Sequence, residues 1–296
     1  MQNSASRLLR SILYVPASKE KVLKKAPNLG SDGLILDLED SVPIQLKSEA
    51  RLLAKESLRQ VDSNNVLRTV RINGLNTGFW VDDVEAVFSS EPDAIVVPKV
   101  DSLAALQPLF DLLSTLESVN SGRFTPAVWA MIESPLGVLN SYSIAAHPRI
   151  GALMLGTSDL GAALGVAATV DRSNMSSALQ QTVLSAKAAG VFVLDGVFVD
   201  LKDPQGFITQ CRDGAGLGFD GKTVIHPSQI DSANRLFLPS EAQVAKARKI
   251  LSLWQQANIS GEEICVVDGV LVERLHARRS LKILKSVNEM LDIADL

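Results

Sequence analysis

The 296-residue sequence predicts an α/β fold, a (β/α)8 barrel followed by a C-terminal hairpin and helix extension. Three observations predict it. Eight short apolar, β-branched segments alternate with segments of helical periodicity over about 230 residues, near the ~250 typical of such barrels. Charged and amide side chains recur at or just past the C-terminal ends of those segments, where barrel enzymes carry their chemistry. The turn after the first segment, VPASKEK, lacks the glycine-rich fingerprint of a doubly wound open sheet.

The candidate strands are SILYVP (11–16), GLILDLE (33–39), LRTVRIN (67–73), AIVVPKV (94–100), AVWAMIES (127–134), ALMLGTSD (152–159), GVFVLDGVF (190–198) and GKTVIHP (221–227). Short runs rich in Val, Ile and Leu, closed by Gly, Pro or charge, read as strands buried on both faces. Between them KSEARLLAKESLRQV, DSLAALQPLFDLLSTLESV and SSALQQTVLSAKAAG repeat apolar residues at helical spacing. Residues 1–238 are assigned to the barrel. From Pro239 and Ser240, residues 239–257 read as a last amphipathic helix, broken from Asn258 to Gly261. ICVVDGVLVERLHARRSLKILKSVNEML then reads as a hairpin about Asp268-Gly269 and a basic amphipathic helix. Residues 239–296 are thus either a packing appendage or a lid over a neighbouring subunit.

Composition narrows the function. Hydrophobic content of 46% and charged content of 21% are those of a soluble globular protein. A formal net charge of -4 gives no basic excess for nucleic acid, so an acidic substrate must be held by locally placed arginines and lysines. Cys211 and Cys265 stand outside any CxxC or Cys/His cluster and read as free thiols of a reducing cytoplasm. Arg7 and Arg10 precede an apolar run too short for a signal peptide. No apolar run approaches the ~18 residues of a membrane span. The expected location is cytoplasmic.

The chemistry centres on two strand-end carboxylates. Glu133 closes AVWAMIES, and Asp159 closes the next strand segment. Neighbouring parallel strands lie ~5 Å apart, so the two can converge on one cation. With oxygen ligands only, Mg2+ is the fitting metal. Paired carboxylates also serve as general acid and base in glycoside hydrolysis, although 5% aromatic residues offer little for stacking sugars. Asp37 and Glu39 share a strand face, as do Arg71 and Asn73. Arg71 is either a structural partner of Asp37 or Glu39 or a fork for a substrate carboxylate. Arg10, Lys19, Lys21, Lys24 and Lys25 form either a solvated face or a phosphate grip. Lys99 is a Schiff-base candidate or a partner of the acidic residues. Asp195 also falls at a strand end, His226 reads as a capping or orienting residue, and His147 and His276 read as surface residues.

Nine ordered motifs carry a family resemblance: RSILYVPAS, LDLEDSVPIQLKSEAR, VRINGLNT, VPKV, MIESPLGV, LGTSDLG, FVDLKDPQGF, GLGFDGKTVIHPSQI and VVDGVLVE. Over nearly the whole chain the sequence resembles the citrate lyase β-subunit-like group of the HpcH/HpaI aldolase superfamily, which includes malyl-CoA and citramalyl-CoA lyases. The resemblance implies a (β/α)8 barrel, Mg2+ held by Glu133 and Asp159, and Arg71 on the carboxylate of the keto-acid half of the substrate. It implies that Asp37, Glu39 and Asp40 hydrogen-bond metal-bound waters and that Arg10 and the nearby lysines, Lys19 among them, meet the phosphates of coenzyme A. It also implies a homotrimer or hexamer in which a lid aspartate, Asp268 here, reaches a neighbouring active site. Read from the sequence alone, Asp268 is simply the first residue of an Asp-Gly turn. Ala17 and Ser134 depart from the glycine and threonine of many members. The implied reaction is Mg2+-dependent retro-Claisen cleavage of a 3-hydroxyacyl-CoA to acetyl-CoA and a 2-keto acid. Rivals are a carrier-dependent citrate lyase β-subunit, a thioesterase, a Lys99 Schiff-base aldolase and a silent scaffold.

Overall fold

The computed structural model describes residues 8–62, 65–259 and 264–287. Eight parallel strands close into a barrel in chain order. They are β1 (Ser11–Pro16), β2 (Gly33–Asp37), β3 (Leu67–Arg71), β4 (Ala94–Val97), β5 (Ala127–Ile132), β6 (Ile150–Leu155), β7 (Phe192–Asp195) and β8 (Gly221–Val224). The first helices are α1 (Glu20–Lys25), α2 (Lys47–Gln60), α3 (Trp80–Phe88) and α4 (Gln107–Val119). After β5 come α5 (Pro135–Leu139) and α6 (Ser141–Ala145), and after β6 come α7 (Thr157–Leu164) and α8 (Ser176–Ala189). Helix α9 (Pro204–Leu217) precedes β8, and α10 (Ile230–Leu236) follows it. All eight strands fall where the apolar runs place them, but most stop two or more residues short of the predicted C-terminal limits. Glu39, Asn73, Lys99 and Glu133 therefore lie in the loops just beyond the strands, and Asp159 lies in the first turn of α7.

Closure brings β1 beside β8, with Ser11 opposite Lys222 and Leu13 opposite Val224. Gly221 permits it: a Cβ there would come 1.7 Å from the Leu9 carbonyl oxygen. Ile12, Ile35, Val96, Trp129, Met131, Met154 and Leu194 fill the barrel, and Tyr14 packs on that core. Each large apolar side chain fully buried this way contributes about 1.5–3 kcal/mol.

Asp195 does not join the polar rim. It is fully buried, with Lys222 Nζ at 2.9 Å and Arg172 Nη1 at 2.5 Å. Burial opposes its charge, but Lys222 and Arg172 outweigh burial and hold the carboxyl below its ordinary range. Its partners lie 23 residues before and 27 after it, spacings that no local motif announces.

The chain divides into two compact units, the barrel over Leu9–Asn234 and a second unit that includes the described residues after Asn234. In the second unit, α11 (Glu241–Ile259) and α12 (Arg274–Ser286) pack with the hairpin β9 (Ile264–Val267) and β10 (Val270–Glu273). Val244, Leu251, Trp254, Val267, Val272 and Leu284 form their own core. The helix expected over 239–257 is thus present, although most of the expected break after it lies outside the described residues. Asp268 and Gly269 both have positive φ, 51° and 76°, as a two-residue primed turn requires. His276 completes a capping box with Glu273 at the start of α12. No described helix is long and apolar enough to cross a membrane.

Removing one member of a buried ion cluster leaves its partners charged and unpaired. Asp195→Ala is expected to lower unfolding free energy by about 3–5 kcal/mol, measured by urea titration. A loss below about 1 kcal/mol would contradict the assigned role.

Candidate active site

The loop after β2 is folded by the last residue of that strand. Asp37 accepts hydrogen bonds from the backbone N–H groups of Glu39 at 3.0 Å and Ser41 at 3.1 Å, a local side-chain turn. The same carboxylate takes Arg71 side-on, from Nε at 2.6 Å and Nη2 at 2.8 Å, the strong bidentate geometry. Burial would raise the Asp37 pKa, but Arg71 more than offsets it and the carboxyl stays below its ordinary range. Lys47 Nζ donates to the carbonyls of Leu38 at 2.6 Å and Glu39 at 2.7 Å, pinning the loop from beneath. Asn73 turns aside: its backbone and side-chain nitrogens both donate to buried Asp83.

Glu133 is fixed by two backbone features. The Lys99 N–H donates to its Oε2 at 2.6 Å, from a residue held at φ 56°. That left-handed conformation costs a non-glycine residue about 1 kcal/mol or more and is concentrated at functional sites. On the other side, a Cβ at Gly156 would lie 2.4 Å from Glu133 Oε1, so only glycine lets the carboxylate rest against β6. Lys99 Nζ meanwhile donates to Glu39 Oε1 at 2.9 Å. That bond raises the Lys99 pKa and keeps the amine charged, the opposite of what a Schiff-base nucleophile needs.

Asp37, Glu39, Asp40, Glu133 and Asp159 thus gather near the cations Arg71, Lys99 and Lys47. Five minus three leaves two excess negative charges when all five carboxylates are ionised. Two consequences are visible. Burial, reinforced by Glu39 and Asp159, pushes Glu133 up to about 7, and burial also raises Glu39. Glu39 Oε2 is buried without a hydrogen-bond partner, since Arg71 Nη1 at 2.9 Å is not aligned to donate. An excess of two charges, an orphaned carboxylate oxygen and oxygen-only ligands fit a hard divalent cation. Among the described residues no group of three or more ligating side chains surrounds it. Mg2+ suits this arrangement, because it keeps several waters and substrate oxygens beside one or two carboxylates.

Two cavities meet at Asp40, Glu133 and Asp159. One, of about 430 Å³, runs into the barrel mouth past Tyr14, Arg71, Met131, Leu155 and Thr223. The other, of about 830 Å³, runs past Leu75, Lys99, Asp101 and Ser134. Arg71 carries five N–H groups. Asp37 occupies Nε and one on Nη2, and Asp40 Oδ2 accepts from Nη1 at 3.5 Å, so one N–H on each terminal nitrogen stays available.

The position of Arg10 corrects an expectation. It precedes β1, at the opposite end of that strand from the cavities, and clamps Asp32 through its backbone N at 2.7 Å, Nε at 2.8 Å and Nη2 at 2.6 Å. It ties the starts of β1 and β2 together and cannot reach a phosphate at the mouth. Lys19 follows β1 on the mouth side and is exposed. His226 caps the turn after β8 by accepting from Ser228 N, and Ser134 caps α5 by accepting from Gly137 N. Asp268 belongs to the second unit and pairs with Lys249. Tyr14, Lys47 and Gly156 were not predicted from sequence. Gly156 carries a signal in hindsight, a lone glycine between a strand and an acidic helical turn.

The Glu133 shift sets a pH dependence. Raised above its ordinary range, Glu133 costs stability on ionising as pH climbs through about 7 without a cation. A divalent cation needs the ionised form, so its affinity should rise from about pH 6 to about pH 8 and then level. Calorimetry in buffers of different ionisation heat should show proton release near neutrality, and Glu133→Gln should abolish both effects. Affinity independent of pH would contradict the assignment.

Comparison with known proteins agrees with this geometry. The profile of the HpcH/HpaI aldolase/citrate lyase family matches residues 10–227. A (3S)-malyl-CoA thioesterase from Cereibacter sphaeroides is 40% identical over 275 residues, covering 92% of this chain and 93% of that protein. An L-malyl-CoA/β-methylmalyl-CoA lyase from Rhodobacter capsulatus is 33% identical over 296 residues, covering 93% of each. The solved structure of CitE from Mycobacterium tuberculosis, in complex with magnesium, acetoacetate and coenzyme A, has a TM-score of 0.78 at 28% identity, covering 94% of this chain and 98% of that one. The chain belongs to the HpcH/HpaI aldolase/citrate lyase family.

Proposed function

We propose that the protein is a Mg2+-dependent carbon–carbon lyase. It cleaves a malyl-CoA or citramalyl-CoA type thioester to acetyl-CoA and a 2-keto acid. The observation that carries this reading is the excess of two carboxylate charges, with the orphaned Glu39 oxygen, at the mouth of a barrel of this family. When bound by Glu133 and Asp159, Mg2+ would supply a Lewis acid for the carboxylate and hydroxyl oxygens of the substrate.

The chain's own residues do the rest. Lys99 N–H and Gly156 hold Glu133 in one orientation. Asp37 holds Arg71 side-on, and the remaining Arg71 N–H groups meet the substrate carboxylate. Glu39, Asp40 and Lys99 order the water around the pair, and Lys19 meets a phosphate of coenzyme A. Asp268, presented by the hairpin of a neighbouring copy in a homotrimer or hexamer, takes the hydroxyl proton. The carbon–carbon bond breaks, its electron pair passes to the thioester as an enolate, and a proton then converts the enolate to acetyl-CoA. Arg71 offsets the negative charge in the transition state.

A second reading is favoured by the 40% identity to a malyl-CoA thioesterase. Hydrolysis would use the same pocket but would yield free hydroxy acid and coenzyme A.

The test is product analysis with malyl-CoA and citramalyl-CoA, with Mg2+ and with EDTA. Mg2+-dependent acetyl-CoA with glyoxylate or pyruvate is expected, while free malate or citramalate without acetyl-CoA would establish the thioesterase. Glu133→Ala and Asp159→Ala should each lower kcat/KM by at least about 10³-fold in a protein that still folds and melts cooperatively. Turnover retained in both would overturn the metal assignment.

A further inference from the structure

Arg172 lies between α7 and α8 with a left-handed backbone, φ 49°, and its Nη1 donates to Asp195 Oδ1 at 2.5 Å. Its Nε and Nη2 are buried and have no hydrogen-bond partner among the described residues. Those two nitrogens form one edge of the guanidinium, the side-on fork that matches the two oxygens of a carboxylate. Arg71 gives the same edge to Asp37, and Arg10 gives it to Asp32. Burying such donors unpaired costs their hydration, and packing gives no return for it. Charge points the same way. Asp195 is one carboxylate between two cations, so the buried cluster carries one excess positive charge. The excess is felt at Lys222, which burial, reinforced by Arg172, pushes below its ordinary pKa.

A third cavity, of about 240 Å³, is lined by Arg172 together with Thr157, Ser158 and Val197, which also line the smaller cavity at the mouth. We propose that this cavity is an anion site separate from Arg71, in which the Arg172 fork takes one small monocarboxylate. Two carboxylates on its wall, Asp200 and Asp203, select that class. Their Oδ1 atoms accept from the N–H groups of Lys202 at 2.9 Å and Gly206 at 2.8 Å, and neither bonds to the Arg172 fork. They repel a phosphate dianion about twice as strongly as a carboxylate, whereas a flat carboxylate keeps both bonds of the fork. The site lies outside the Glu133 and Asp159 pair and does not depend on the lyase reading.

The experiment is calorimetric titration of the whole metal-free protein with sodium acetate, with sodium chloride as the ionic-strength control, comparing wild type with Arg172→Lys. Without a cation the acidic cluster at the mouth repels a further carboxylate, so acetate reports on Arg172. Lysine keeps a charge for Asp195 and lacks the fork. Wild type is expected to take up one acetate per chain, and the substitution to weaken it about 10- to 100-fold, as loss of bonds to a charged group does. Mg2+ affinity should be equal in the two proteins. A second measurement needs no variant: crystals of the metal-free wild type grown in acetate should show a carboxylate on Arg172 Nε and Nη2 at about 2.7–2.9 Å. Once acetate binding is lost in the variant, pyruvate in saturating Mg2+ identifies the source. Two pyruvates per chain, falling to one in Arg172→Lys, would make a 2-keto acid the occupant, and one in both proteins would assign the site to another free acid. Equal acetate uptake by wild type and Arg172→Lys, or water alone on the fork in the crystals, would overturn the inference.

Discussion

The side-on pairing of Asp37 with Arg71 is the interaction around which the barrel mouth is arranged. It buries a guanidinium beside a carboxylate at the ends of adjacent strands, β2 and β3, so both charges are compensated where water is scarce. Asp37 uses its remaining capacity to fold the next loop, which brings Glu39 and Asp40 to the same arginine. Lys47 and Lys99 then hold that loop from two sides. A pair that would be neutral by itself becomes the anchor of an acidic cluster.

The cluster is held together against its own repulsion, which is informative. Packing has no need for a residue at φ 56° that aims its N–H at Glu133. Nor does it need a strand end kept free of a side chain so that Glu133 can lie against Gly156. Both devices cost stability locally and position one carboxylate oxygen. The barrel beneath supplies the stiffness, through the apolar layers and the sealed Asp195–Lys222–Arg172 cluster. Strain of this kind persists only where the surrounding structure over-determines it.

Much of this was legible in the chain. Strands buried on both faces leave uninterrupted apolar runs, so all eight could be counted and placed. The runs also flagged Asp37, Arg71 and Glu133, since a charge that ends such a run needs a reason. What escaped was spatial. The strands end earlier than the sequence predicts because polar tip residues belong to the loops, and Asp159 to a helix. A strand end predicts a rim position for Asp195, because its buried partners, Arg172 and Lys222, are remote in sequence. The resemblance implies a phosphate role for Arg10 together with Lys19, but the length of β1 separates the two. Tyr14 and Gly156 matter through what lies beside them in space, which periodicity does not encode.

The central claim is that the carboxylate excess exists to hold one hard divalent cation between Glu133 and Asp159. Anomalous diffraction from crystals grown with Mn2+ in place of Mg2+ tests it most directly. The account predicts a single site with one oxygen from each of these two carboxylates at about 2.1–2.2 Å, its remaining positions filled by water. Glu39 should contact one of those waters. A cation bound elsewhere, or a Mn2+-free cluster in which Glu133 is satisfied by protein hydrogen bonds alone, would contradict it.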